Sequence, residues 1–223
     1  MLRSPPARAR PRRARAALSD RGLARWLVSE LLANVAWAGT LVYAGALLAE
    51  SYGTSTRVTG CLLAVPAVAY VAGNLSCRRL VRREPRRILV LLALFLALAD
   101  GLFGAARCGV VTSTALLSIA AFGAGGRTLI SSAFALATPP DMRATVTSLR
   151  AATMQFGYFG GSIAGGGALA IGGYTALGAA MSLFFLGAAA TLVRRPYLAP
   201  AVSATREEPS RASSALPGLY AAR

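Results

Sequence analysis

The chain has 223 residues, of which 55% are hydrophobic and only 14% charged, and its mean hydropathy is +0.54. A soluble domain carries roughly a quarter charged residues, so packing this chain in water would expose far more apolar surface than soluble proteins tolerate. The net charge of +16 rests on 24 basic residues that are all arginine. They cluster between long apolar runs, which makes them markers of membrane topology and leaves nucleic-acid binding a poor second reading.

Residues 1–22 are rich in Arg, Pro and Ala without an apolar period, and are expected to form a disordered, basic cytoplasmic arm. Arg12 and Arg13 hint at a twin-arginine signal, but the apolar run from Trp26 to Ala49 is too long for the roughly 7–15 residues of a signal core. A retained first helix is expected instead. Six apolar stretches follow one another at roughly 26–49, 56–77, 88–106, 112–136, 147–170 and 173–193. Each is near the ~20 residues that a helix needs to cross ~30 Å of hydrocarbon. Only Gly172 and Gly173 separate the last two, which predicts a tight outer turn. Residues 196–223 return to Pro, Ser and Ala with scattered charge and read as a disordered cytoplasmic tail. The expected class is therefore an all-α membrane protein, with a six-helix transmembrane domain over 23–195.

Arginine in short loops marks the cytoplasmic side. Arginines from Arg8 to Arg25 precede the first helix, Arg78 to Arg87 crowd the loop after the second, Arg143 follows the fourth, and Arg194 and Arg195 follow the sixth. The loops of opposite parity hold only Arg57 and Arg107. All of this agrees with six crossings of the cell membrane and both ends in the cytoplasm.

The chain has no histidine, and Cys61, Cys77 and Cys108 have no CxxC spacing. Metal sites and His-based acid–base schemes thus lack their groups. Intramembrane proteolysis would need Ser with His, or paired aspartates, whereas Asp100 is the one aspartate well inside an apolar stretch. Neither a cofactor nor a catalytic residue is expected, and the chain reads as a non-enzyme.

Polar groups inside the apolar stretches carry the functional reading. An arginine at a helix centre costs about 2.5–3.5 kcal/mol even on the lenient insertion scale, and Arg127 sits near the middle of the fourth stretch. Two readings stand side by side: a structural pair with Asp100, the nearest intramembrane acid by depth, or an anchor for an anionic or polar solute in a cavity. Ser131 follows Arg127 on the same face. Asn34 and Trp37, continued by Leu41, form a stripe that suits either a cavity wall or interhelical packing. Tyr70 with Asn74, and Gln155 with Tyr158, repeat that ambiguity. Glu30 and Glu50 are expected at the two interfaces, and Arg150 at a cytoplasmic gate or among headgroups. Gly157, Gly161 and Gly165 make a strip that lets another helix approach closely, while Gly123, Gly125 and Gly126 are expected to loosen the fourth helix.

Three stretches give the chain a family likeness: Trp37 through Gly53 and Thr54, Gly73 to Arg83, and Arg143–Arg150 running into Gln155–Tyr158 and the glycine strip. Over roughly 23–195 the chain resembles the C-terminal six-helix half of a major facilitator superfamily transporter. In that family the loop after the second helix of each half carries a Gly-x-Leu-x-Asp-Arg-x-Gly-Arg-Arg/Lys pattern. Gly73, Leu75, Arg78 and Arg82 fit it, while Cys77 replaces the aspartate and Leu80 the second glycine. The resemblance implies a transporter that rocks two six-helix halves about a site near the midplane. It places Asn34, Trp37, Arg127 and Ser131 on the substrate path, joined by Gln155 and Tyr158, and Gly73, Leu75, Arg78 and Arg82 in a gating loop. The implied partners are the lipid bilayer, a small-molecule solute and a second six-helix half, as a homodimer or a separate chain. Efflux of a small organic solute is the expected function. The alternative is a non-transporting product: a truncated or split-gene remnant, or a membrane subunit that binds a partner through its glycine strip.

Overall fold

A computed structural model describes residues 19–193 except Arg83 and Arg107, and the side chains of Val81 and Arg82 are also outside the description. Residues 1–18 of the arm expected over 1–22, and the tail expected over 196–223, lie outside the described residues.

Among the described residues every regular element is helical. They are α1 (Arg21–Tyr52), α2 (Thr56–Ser76), a 3-10 turn (Cys77–Arg82), α3 (Pro85–Ala105), α4 (Val110–Leu136) and α5 (Pro140–Val193). All five α-helices are long and apolar enough to cross a membrane. Helix α1 begins inside the segment expected to be a disordered arm. Asp20 caps it there, its Oδ1 accepting the Gly22 and Leu23 amides at 2.7 and 3.2 Å. Pro85 opens α3, where a missing N–H leaves nothing unsatisfied.

As one straight rod, α5 would run ~81 Å, far beyond the ~30 Å of hydrocarbon. It breaks at Gly172 (φ −151°, ψ 26°) and Gly173 (φ 63°, ψ −157°), at the glycines expected to form a turn. The two arms, 140–171 and 174–193, fold back on each other: a Cβ on Gly165 would lie 3.2 Å from Leu177, and Gly39 of α1 meets both Gly161 and Met181. The backbone of Gly173 occupies a region that essentially only glycine adopts. Gly173→Ala is accordingly expected to cost about 1–3 kcal/mol, read as a lower midpoint in a denaturant titration of the detergent-solubilised protein.

Both arms of α5 pack on α1, α2 packs on α4, and α3 packs on α4 and the second arm. Two apolar clusters hold the bundle together. One is built on Leu47, Leu48, Leu96, Phe103, Met181 and Phe185, the other on Trp26, Leu27, Leu89, Ile130, Val146 and Leu192 nearer the arginine-rich end. Large apolar side chains such as Val68, Leu98, Phe156, Ile171 and Leu183 point outward, which is the surface a lipid solvent accepts.

Candidate functional site: two arginines on one buried glutamate

Counted at 1.5 Å per residue, Glu30 lies ~14 Å from the start of α1 at Arg21. Arg127 lies ~14 Å from the end of α4 at Leu136, and Arg150 ~15 Å from the start of α5 at Pro140. Those three helix ends all belong to the arginine-rich end of the bundle, so three charged residues from three helices share one depth.

They meet there. Arg127 Nη2 donates to Glu30 Oε1 at 2.5 Å and to the Ser29 carbonyl at 3.2 Å. Arg150 Nε lies 3.3 Å from Glu30 Oε2 and also donates to Ser131 Oγ at 3.2 Å. Arg150 Nη2 reaches the Thr128 carbonyl at 3.4 Å. The side chains of Glu30 and Arg127 are only 1% and 7% exposed, and that of Arg150 is 18% exposed. Two guanidinium groups on one carboxylate leave a formal charge of +1 between the two apolar clusters. Arg127 Nε is buried without a partner among the described residues.

This geometry overturns three expectations. The partner of Arg127 is Glu30, and Asp100 instead accepts a hydrogen bond from Thr40 at 2.7 Å in a fully buried position. Asp100 stands ~23 Å along α3 from its arginine-rich end, too deep to meet Arg127. Nor does Glu30 reach the interface. With the helix expected to start near Trp26, Glu30 fell at its end, but the Asp20 cap moves that end outward and carries Glu30 into the membrane. Glu50, at the opposite end, is exposed and accepts a hydrogen bond from the Tyr174 hydroxyl at 2.6 Å. Of the two places expected for Arg150, a cytoplasmic gate or the headgroups, its bonds to Glu30 and Ser131 inside the bundle rule out the second.

An aromatic face adjoins the triad. Trp37 stacks on Tyr70 with ring centroids 6.2 Å apart, and the Tyr70 hydroxyl donates to Thr128 Oγ1 at 2.9 Å. Tyr158, 40% exposed, lies within electrostatic reach of Tyr70 and Arg150. Leu41, which continues the Asn34–Trp37 stripe, is exposed. Of the residues selected from the sequence, Arg127, Ser131 and Tyr158 gather around the triad, and Trp37 joins through Tyr70. Asn34 bonds back to the Glu30 carbonyl at 2.7 Å and packs under Gly157. Gln155 is exposed and stands outside the hydrogen-bonded network. Sequence reasoning missed Glu30 and Thr128, and it left Tyr70 and Arg150 without a shared partner.

The glycines are contact surfaces. A Cβ on Gly161 would press into the Val35 carbonyl and the Gly39 amide, and one on Gly165 would strike the Tyr43 ring. The strip is thus occupied by α1 of the same chain, which overturns its reading as a docking strip for a partner. On α4, a Cβ on Gly125 would strike the Tyr70 carbonyl, and one on Gly126 would lie 2.5 Å from Cys77 Sγ. These glycines seat α2 rather than loosen α4. Gly73 of the basic-loop motif is buried against the Phe122 carbonyl, while Leu75 and Arg78 are exposed and the Arg82 side chain lies outside the described residues. A buried Cys77 in the aspartate position suits this close approach of α2 and α4. Among the described residues no three metal-ligating side chains gather.

Neither a curated protein nor a solved structure matches the chain. The family model of the Major Facilitator Superfamily matches residues 26–222, which is most of the sequence. The chain belongs to the Major Facilitator Superfamily.

Proposed function

We propose that this chain forms one wall of the solute path in a major-facilitator transporter and carries a small organic solute outward across the cell membrane. A second six-helix half, either another copy or a separate chain, forms the opposite wall. The arginine-rich end faces the cytoplasm, as the bias of the loops suggests. The observation that carries this reading is the Glu30–Arg127–Arg150 triad at one depth, flanked by the partly open face of Trp37, Tyr70 and Tyr158.

Charged groups inside the membrane are costly, and where they persist they face a bundle interior or a water-filled path. Here Glu30 neutralises only one of two arginines. The residual positive charge favours a solute with an anionic or strongly accepting group, and Arg150 is the more exposed of the two. Aromatic faces beside it suit an apolar body. Rocking of one half against the other about this site would then expose it alternately to the two sides.

The test is uptake into inverted membrane vesicles, in which outward transport runs into the lumen, using a panel of small organic anions, neutral solutes and cations. Arg150→Gln is expected to lower anion transport at least tenfold, and Tyr158→Phe to change it less, with the unfolding midpoint of Tyr158→Phe unchanged. Wild-type vesicles that move no solute, although the chain is folded and inserted, would overturn the proposal in favour of a non-transporting product. The mass of the native polypeptide in membranes identifies the second half: 22.9 kDa fits a copy or separate chain, and roughly twice that would place both halves on one polypeptide.

A further inference from the structure

At the arginine-rich end a cleft of about 940 Å³ opens between the first turns of α1, the start of α3, the last turn of α4 and the end of α5. Arg21, Arg25, Arg86 and Arg87 line it, with Glu84 the one acid among the described lining residues. Its apolar wall includes Trp26, which packs on Phe134 with ring centroids 5.1 Å apart. Arg86 is held in place by donating from Nε to the Leu192 carbonyl at 2.6 Å and from Nη2 to the Val193 carbonyl at 3.0 Å. Arg87 pairs with Glu84 at 3.4 Å, but both side chains are largely exposed, and such pairs contribute little.

The cleft does not end in water on all sides. Leu91 lines it and begins an exposed stripe on α3 that continues through Leu94, Leu98 and Leu102. From Leu91 to Leu102 the stripe is ~16 Å long, about the depth of one leaflet of a ~30 Å hydrocarbon core. We infer that this cleft is a binding site for an anionic phospholipid, with the phosphate headgroup among the four arginines and an acyl chain along the leucine stripe of α3. Charge complementarity selects the occupant. Residues 1–18 carry six arginines and no acid, and residues 194–223 carry five arginines against two glutamates, so neither end of the chain complements a basic cleft. A basic pocket between helices at the headgroup level takes up anionic lipid through the same attraction that draws polybasic segments to anionic membranes.

The test is native mass spectrometry of the full chain in detergent, titrated with phosphatidylglycerol, phosphatidylcholine or inorganic phosphate. Phosphatidylglycerol is expected to be retained at least tenfold better than phosphatidylcholine. Arg21→Gln with Arg87→Gln, two exposed positions outside the helix packing, is expected to remove that preference, while Arg12→Gln with Arg13→Gln leaves it. Leu94→Asn with Leu98→Asn should weaken lipid retention without changing any response to phosphate. Equal retention of both lipids would overturn the inference. So would a preference that survives the Arg21/Arg87 substitution or is lost with Arg12/Arg13, because the basic N-terminal segment would then hold the lipid. Inorganic phosphate that displaces nothing supports a lipid site; phosphate that binds as tightly as phosphatidylglycerol assigns the cleft to a soluble anion and overturns it.

Discussion

Glu30→Gln is expected to destabilise the bundle by about 3–5 kcal/mol, the range for breaking a buried ion pair by removing one partner. The substitution leaves shape and size nearly intact and removes the one carboxylate that, among the described residues, pairs with both guanidinium groups. Arg150 can respond, because it keeps Ser131 and the Thr128 carbonyl and is 18% exposed. Arg127 cannot: a Gln Oε1 could still accept from its Nη2 beside the Ser29 carbonyl, but the carboxylate charge is gone, and its Nε is already without a partner among the described residues. Most of the loss therefore falls on Arg127, and the arithmetic can be checked within the same site. Arg127→Met alone leaves Glu30 paired with Arg150 and should cost less than Glu30→Gln. Arg127→Met added to Glu30→Gln should recover part of the loss, since the uncompensated charge is gone. A double-mutant cycle from denaturant titrations in detergent measures this coupling. Glu30→Gln within about 0.5 kcal/mol of wild type, the range of ordinary surface substitutions, would show that the triad holds nothing together.

Gly161→Val is expected to be comparably damaging, for a steric reason. Overpacking costs typically about 1–3 kcal/mol when side chains can give way, but the atoms that a Cβ at 161 meets first are the Val35 carbonyl and the Gly39 amide. Backbone atoms have no alternative rotamer, so α1 and the first arm of α5 must separate along their contact, and the loss should reach or exceed the top of that range. Arg150 and Glu30 sit on the same two helices, so the separation also stretches their ion pair. Gly167→Ala is the control: a Cβ there meets nothing within 4 Å, and the change should be neutral or stabilising by up to about 1 kcal/mol through helix propensity. If Gly161→Val left the unfolding midpoint unchanged but abolished an oligomer on size-exclusion chromatography, the strip would be an interface between chains after all.

These two experiments mark where sequence reading ran out. Apolar length and arginine placement are local properties, so the helical stretches, the paired glycines at 172 and 173 and the membrane setting were legible from the chain itself. So was Arg127 as a residue in need of explanation, because an intramembrane arginine is costly wherever its helix turns. The motif around Gly73 and the stretch from Arg143 to Tyr158 pointed to the family that the model match over 26–222 shows.

The partner of that arginine was decided by tertiary structure. Depth and rotation of each helix fix which acid it meets, and hydropathy sees neither. An apolar-run boundary at Trp26 put Glu30 at an interface, whereas the Asp20 cap starts α1 at Arg21 and brings Glu30 level with Arg127 and Arg150. The glycine strip shows the same division. The spacing of Gly157, Gly161 and Gly165 determined that some helix could come close, but a stripe without side chains does not encode its partner. Packing of the first arm of α5 on α1 settled it, laying the strip against Asn34, Val35, Gly39 and Tyr43 of the same chain.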